Sequence, residues 1–432
     1  MNCRAPEGES IPQMINGEKL IITRTIEKDL IHAERGRRRP TILGKGSFEQ
    51  IFGDYASPKS SDLVAGYELF LRESDLHRPL ESLPFLKPGI IKGAHAVNSL
   101  SWQGKDTVFD LSDPGRFGDA CETALVRTIG LVAGLDGEYV VVHIGKFKGK
   151  DHLSSDTPTL EEMSEAYHEV ETERILTACN RLQRVNGHAR EKNIVLAVEN
   201  DPLSQTNDWV GLGQGILHDP QTLNLLLENT PTAIKVILDE EHLYRAAAMQ
   251  PAWKTYLQGL LRSDDLREPA RLATEQLARK VQEETASRFF EYHIKPFVEE
   301  MIEGVGVRLF GFHVCGWDFR KDSYYMPFGI DGTSIHDGHL PPRRVVKSID
   351  GEGVPIMDAI DHRHTLQTSL NVIGLQKFLV LQIVLEHSRE RSQSRVYSLH
   401  TAADQLVAQK QDLEFAIAAR SLRFLVSQLI GL

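Results

Sequence analysis

The sequence predicts an α/β protein of the (β/α)8 (TIM) barrel class, and three observations lead to this fold. The chain of 432 residues alternates short apolar, β-branched runs with amphipathic helical stretches, which is the pattern of a parallel sheet. Eight such runs are present, the number that closes this kind of barrel. No GxGxxG motif follows the first run, so a doubly wound dinucleotide-binding sheet is not indicated.

The predicted strands are mostly continuous apolar runs, which is typical of strands covered by helices. They lie at residues 40–48, 66–71, 89–97, 139–145, 193–200, 233–240, 308–314 and 379–386. Residues 1–39 are predicted to form an N-terminal extension that precedes a barrel body at 40–400. The amphipathic segment 401–432 is predicted to be a C-terminal helix packed on the barrel.

Two long insertions are predicted in the βα loops, at about 243–306 and 317–377. The first has a strongly helical sequence, whereas the second contains aromatics, prolines and charged residues. Because βα loops border the active-site face of a barrel, both are candidates for lids or partner surfaces. Peripheral packing and homodimer formation are equally open alternatives.

Composition excludes several classes of protein. The chain is 41% hydrophobic and 25% charged, with a formal net charge of −11, which argues against a sequence-independent grip on nucleic acid. The four cysteines are far apart and form no disulfide or zinc-ribbon pattern. No secretory signal and no apolar run of roughly 18 residues is visible. We therefore expect a soluble, cytoplasmic protein with no membrane partner.

Residues able to bind a metal lie at or near the ends of six predicted strands. They are His95, His143, Glu199, Asp239, His313 and Glu386, and three more follow in the adjoining loops, His242, Asp337 and His339. The carboxyl ends of barrel strands all meet at one face, and carboxylates there are costly unless they are paired or bound to a cation. Mixed imidazole and carboxylate ligands suit zinc, manganese and iron(II). The nine residues together predict a divalent-metal site, with zinc favoured.

Each of these residues has an ordinary structural explanation when it is taken alone. His95 could be a hydrogen-bonded core histidine, and Glu199 could form a salt bridge. Asp239 could cap the helix that follows it, and Asp337-Gly is a turn signal. Their common position at successive strand ends is what favours a metal site.

With these motifs the chain resembles the xylose-isomerase-like barrel superfamily, and within it most closely the endonuclease IV family. The matching motifs are GAHAV at His95, HIG at His143, AVEN at Glu199, DEEH from Asp239 to His242, DGH at Asp337 and His339, LE at Glu386, and His313 near the end of its strand. Ile144 replaces the proline of the family motif after the second histidine. The resemblance implies a site with up to three metal ions held by these nine residues.

The first functional hypothesis from the resemblance is a hydrolase of phosphate esters, acting on small phosphates or on damaged DNA. Clustered divalent ions would polarise the phosphoryl group and generate hydroxide near neutral pH. In this hypothesis Glu199 and Glu386 hold a hydroxide-bridged pair of ions. The DNA version also requires a basic, aromatic-lined groove around the pocket.

The second hypothesis is a sugar or sugar phosphate isomerase or epimerase. It needs four ligands: Glu199, Asp239, His313 and Glu386. The two glutamates would also move the proton, His242 would orient the substrate, and Glu68 in GYELFL resembles a second-strand signature of such isomerases. We rank it second because this chemistry does not need His95, His143, Asp337 and His339. An iron-dependent oxidase is a third alternative, and a non-enzymatic scaffold is the least favoured.

Overall fold

A computed structural model of the chain describes residues 66–77, 90–148, 160–201, 217–249, 290–315 and 360–385, with short strands at 12–15, 18–21, 41–46 and 213–215. Within these residues, eight parallel strands close into a barrel. They are β1 (Thr41–Gly46), β2 (Tyr67–Phe70), β3 (Ile91–His95), β4 (Tyr139–Val142), β5 (Val195–Glu199), β6 (Lys235–Asp239), β7 (Leu309–Val314) and β8 (Gln382–Leu385). Their order around the barrel follows the chain, and β8 pairs with β1. The predicted fold and all eight predicted strands are confirmed, with somewhat shorter bounds.

Helices cover the outside of the barrel. They are α1 (Arg116–Gly134), α2 (Leu160–Glu191), α3 (Pro220–Glu228), α4 (Glu240–Met249), α5 (Lys295–Val305), α6 (His362–Ile373) and α7 (Leu375–Phe378). Short 3-10 helices lie at Glu73–His77 and Gly306–Arg308, and a π-helical turn lies at Phe290–Ile294. Helix α1 shows why these segments pack as they do: Cys121, Leu125, Ile129 and Val132 recur at helical spacing and are all fully buried.

The barrel has an inner and an outer core. The outer core lies between strands and helices, as in Leu196 and Val198 of β5, while the inner core includes Tyr139, Val141 and Ile237. Side chains alternate between the two because successive residues of a strand point to opposite faces. Following the inward positions along β5 therefore leads to Glu199, at the carboxyl end of the strand.

Additional strand pairs flank the barrel. The strands Ser99–Trp102 and Lys105–Val108 form an antiparallel hairpin directly after β3, which the sequence interpretation missed. Its turn residues Gln103 and Gly104 both have positive φ, as two-residue hairpin turns require. Lys146–Lys148 pairs with Gly213–Gly215, so the loops after β4 and β5 are joined.

The predicted N-terminal extension contains one further antiparallel pair, Pro12–Ile15 with Glu18–Ile21. The described parts of the two predicted insertions are helical. The predicted C-terminal helix at 401–432 lies outside the described residues.

At the amino-terminal end of the barrel strands, Arg308 joins the start of β7 to the turn before β6. Its guanidinium donates hydrogen bonds to the carbonyl oxygens of Leu227, Thr230, Pro231 and Ile234, at 2.6 to 3.3 Å. The arginine is only 7% exposed. Because backbone carbonyls satisfy the buried cation, this contact fixes the barrel floor without taking part in the predicted site.

Candidate metal centre

The strand register explains why the predicted residues meet. Asp239 at the end of β6 lies directly opposite His313 on β7, and Glu199 ends the neighbouring β5 beside Ile237. His95 ends β3, and His143 follows β4 by one residue. Parallel strands thus deliver all these side chains to one mouth of the barrel.

Glu199 is the centre of the cluster, and it is buried. Its Oε2 lies 3.0 Å from His95 Nε2 and 3.7 Å from His143 Nε2, and its Oε1 lies 2.8 Å from His313 Nδ1. Burial by itself would raise the pKa of Glu199, but the adjacent His313 and His143 outweigh it, so the pKa of this carboxyl lies well below its usual range. Glu199 is therefore held as a carboxylate, the form in which it can bind a cation.

Two of the histidines are fixed through their outer ring nitrogens. His95 Nδ1 contacts the backbone oxygen of Ala96 at 2.7 Å, and His242 Nδ1 contacts the backbone oxygen of Asn200 at 2.9 Å. A carbonyl oxygen accepts only from an N–H, so each ring carries a proton on Nδ1, and Nε2 is the nitrogen left to bind a cation. The backbone contacts thus orient Nε2 of both histidines toward the acidic residues of the cluster.

His143 contacts the carboxylate of Asp201 through the ring nitrogen that does not face Glu199. Its Nδ1 lies 2.9 Å from Asp201 Oδ1, and Asp201 is held by its own backbone and side chain against Leu217. The His143 side chain is 21% exposed, whereas the side chains of His95 and His242 are 3% exposed. Among the described residues of the cluster, His143 is therefore the one most open to solvent.

Asn200 positions Asp239. The Asn200 amide donates to the Asp239 backbone oxygen and accepts from the Asp239 backbone N–H at 2.6 Å, extending the pairing of β5 and β6 by side-chain bonds. Asp239 Oδ1 accepts from the backbone N–H of His242 and so caps α4, as the alternative explanation of Asp239 expected. Capping and metal binding are compatible because a carboxylate has a second oxygen.

The donor set fits a divalent cation. Three overlapping groups have ligand atoms within 4.8 Å of one another: His95 with His143 and Glu199, Glu199 with Asp239 and His313, and Asp239 with Glu241 and His242. Glu199 and Asp239 each belong to two groups, and every member except His143 is buried. Neighbouring buried carboxylates repel one another, and a cation among them removes that cost. The groups thus combine nitrogen and oxygen ligands, as zinc, manganese and iron accept.

The structure brings together six of the nine predicted ligands, and the other three, Asp337, His339 and Glu386, lie outside the described residues. Sequence reasoning overlooked Glu241 and Asp201, each of which stands within two residues of a predicted ligand. It noted Glu68 only as a signature; in the structure Glu68 is fully buried and contacts His313.

None of the described helices is long and apolar enough to cross a membrane.

No family model matches the chain, and no curated protein matches it in sequence. Solved structures do match the barrel over most of its length. An L-ribulose 3-epimerase is 13% identical with a TM-score of 0.40, covering 90% of this chain and 98% of its own. A D-allulose 3-epimerase from Methylomonas sp. is 12% identical with a TM-score of 0.45, covering 90% and 98%. A sugar phosphate isomerase/epimerase from Parabacteroides distasonis is 9% identical with a TM-score of 0.37, covering 90% and 94%.

The expectation of an endonuclease IV-like hydrolase of phosphate esters or damaged DNA is wrong. The three structures described above are named as sugar epimerases and a sugar phosphate isomerase/epimerase, which agrees with the isomerase alternative and not with a hydrolase. The described residues also weaken part of the reason for ranking the hydrolase first. His95 and His143, which an isomerase was thought not to need, both contact Glu199 and stabilise its charge. They therefore have a use in a site that binds a single cation.

Proposed function

We propose that the chain is a divalent-metal-dependent sugar isomerase or epimerase. The observation that carries the proposal is the convergence of Glu199, Asp239 and His313, buried on three consecutive strands with ligand atoms within 4.8 Å. With Glu386 beyond the end of β8, these are the four residues that the isomerase hypothesis requires. A cation held there would polarise a substrate carbonyl and so acidify the neighbouring C–H.

The residues around the cation would carry the remaining chemistry. Glu199 is kept ionised by its histidine neighbours, so it can accept a proton from the carbon beside the carbonyl. Glu386, as the second glutamate, would return a proton on the other side. His242 has its Nδ1 bound to Asn200 and presents Nε2, which can accept a hydrogen bond from a substrate hydroxyl.

His143 gives the substrate a direction of approach. Its side chain is 21% exposed, while Glu199 and His313 are at most 1% exposed. A small polyhydroxylated molecule entering past His143 would meet the imidazole first and the carboxylates behind it. Hydrogen-bonding groups at the rim and ionised groups at the base are what a sugar with several hydroxyls and one reactive carbonyl requires.

The proposal is tested by proton exchange. Metal-free protein is reloaded with manganese, cobalt or zinc and incubated in D2O with a panel of ketoses, aldoses and their phosphates. Proton NMR then follows deuterium incorporation beside the carbonyl, and chromatography follows the product. We expect exchange by the wild type and a loss of about 100- to 10,000-fold in Glu199→Gln, the range for removal of a general base.

Glu171→Gln is the matched control, because Glu171 is a buried carboxyl on α2 that belongs to none of the ligand groups found among the described residues. It should keep the wild-type exchange rate. Absence of exchange with every sugar in metal-loaded wild type would overturn the proposal.

A further inference from the structure

His313 lies between two carboxylates that use different nitrogens of its ring. Nδ1 lies 2.8 Å from Glu199 Oε1, and Nε2 forms a hydrogen bond to Glu68 Oε2 at 3.2 Å, with Glu68 Oε1 at 3.0 Å. Glu199 belongs to the ligand groups, so Nδ1 is the nitrogen that faces the cation position. Nε2 must then keep its proton and donate it to Glu68. The Glu68 contact thereby selects the tautomer in which Nδ1 can bind a cation.

Glu68 is itself held from the other side. The Tyr139 hydroxyl donates a hydrogen bond to Glu68 Oε2 at 2.9 Å, and both residues are fully buried. Burial and the adjacent charge of Glu68 raise the pKa of Tyr139 well above its usual value, so the phenol remains a donor. Glu68 therefore receives one bond from Tyr139 and one from His313, which fixes its orientation.

The hydrogen bond between Tyr139 and Glu68 spans three neighbouring strands of the barrel. Glu68 on β2 pairs in register with Gly93 on β3, and Gly93 pairs with Tyr139 on β4. A Cβ at Gly93 would lie 2.4 Å from Tyr139 Cζ. The tyrosine ring thus crosses the space that any larger residue on β3 would fill, and its hydroxyl reaches a carboxylate two strands away.

We infer that Glu68 and Tyr139 are positioning residues that orient His313 Nδ1 as a metal ligand. The inference rests on the proposed metal-dependent function. Glu68 contacts the nitrogen of His313 turned away from Glu199, and it belongs to none of the ligand groups found in the described part of the chain. It acts through His313, and Tyr139 acts through Glu68.

Cobalt(II) binding provides a test that does not depend on turnover. Wild type, Glu68→Gln and Tyr139→Phe are stripped of metal and titrated with cobalt, and the affinity and the visible absorption spectrum are recorded. We expect both variants to bind cobalt about 10- to 100-fold more weakly, with a changed spectrum, because loss of a partner behind a ligating histidine typically has an effect of this size. Tyr139→Phe removes one hydroxyl and keeps the ring that packs against Phe310.

Tyr244→Phe is the matched control. Tyr244 is also fully buried, and its hydroxyl bonds the Asp361 backbone oxygen and Thr365 Oγ1 on the outer side of the barrel. We expect it to keep the wild-type affinity and spectrum even if its thermal midpoint falls. A purely structural role for Tyr139 would give the same pattern as Tyr244: a lower midpoint and an unchanged spectrum.

The outcomes separate this inference from the proposed function. Wild-type cobalt affinity and spectrum in both Glu68→Gln and Tyr139→Phe would overturn the positioning role while leaving the metal site intact. A wild-type protein that binds neither cobalt nor any other divalent ion would overturn the proposed function and this inference together. Weakened binding in the two variants, with Tyr244→Phe unaffected, supports both.

Discussion

Gly93 leaves the space that the ring of Tyr139 occupies inside the barrel: a Cβ on Gly93 would stand 2.4 to 2.6 Å from three atoms of that ring. The glycine is therefore required by the neighbouring strand, and its φ is not in the left-handed region. A side chain at this position must displace the ring that holds Glu68.

Gly93→Ala should accordingly affect both stability and the site. Overpacking of this kind costs about 1 to 3 kcal/mol, so we expect the free energy of unfolding to fall by that amount in urea titration. Gly130→Ala is the control: Gly130 lies within α1 with open space around it, and alanine there should be neutral or stabilising by up to about 1 kcal/mol. Equal stability of the two variants would contradict the packing described for Tyr139.

Removal of metal should lower the thermal stability of the wild type. A ligand that binds only the folded state stabilises it by about 2.7 kcal/mol at 100 times its dissociation constant. We expect chelator to lower the midpoint of unfolding and Asp239→Asn to lose most of this response, because Asp239 belongs to two ligand groups. Asp119→Asn, which changes a 69% exposed carboxylate on α1, should respond as the wild type does. A wild-type midpoint that chelator leaves unchanged contradicts a resident metal.

Replacing Arg308 with methionine should destabilise the folded protein much more than replacing Arg184 with methionine. Arg308 is buried and bonds the carbonyl oxygens of the turn before β6. Its loss leaves buried acceptors without partners, and we expect a destabilisation on the order of 3 kcal/mol, measured by chemical unfolding. Arg184 pairs with Glu122, but its side chain is 56% exposed, so its loss should cost less than about 1 kcal/mol.

Neither arginine should matter to the metal. Arg308 lies before the amino end of β7, opposite the mouth that holds the ligands, so Arg308→Met should keep the wild-type cobalt affinity at temperatures where it is folded. Weakened cobalt binding in this variant would show that the barrel floor and the mouth are coupled.

Two cysteines should resist alkylation in the folded protein. Burial raises the pKa of the Cys121 thiol to about 12 and that of Cys179 to about 11. The reactive thiolate is therefore scarce at pH 8, and both sulfurs are also inaccessible. Peptide mass spectrometry after iodoacetamide treatment should find them unmodified in the native protein and fully modified in urea. Rapid native labelling at pH 8 would contradict their burial.

The raised pKa values of Cys121 and Cys179 also give the direction in which stability changes with pH. The folded state keeps the Cys121 and Cys179 protons at pH values where an ordinary thiol, near 9, has released them. The unfolded state therefore binds fewer protons above pH 9, and these two groups make stability decline as the pH rises from 9 toward their raised values.

Much of the barrel could be predicted from local pattern. Runs such as IVLAV before Glu199 and VIL before Asp239 are apolar at every position because both faces of a covered strand are buried. The hairpin after β3 escaped prediction because SLSW and KDTV are short and only Leu100 in them is buried, so they lack a strong apolar signal. Its Gln103-Gly104 turn was the available clue.

The sequence by itself determined that His95, Glu199, Asp239 and His313 share one end of the barrel, because each follows or ends an apolar strand and parallel strands end on the same face. Only the tertiary structure decided how they are used. Glu68, Gly93 and Tyr139 are separated along the chain by 25 and 46 residues, and their contact depends on the register of β2, β3 and β4. Which ring nitrogen faces a cation, and which carboxylate stays ionised, depends on such long-range contacts, since local sequence fixes strands and only packing fixes distances between them.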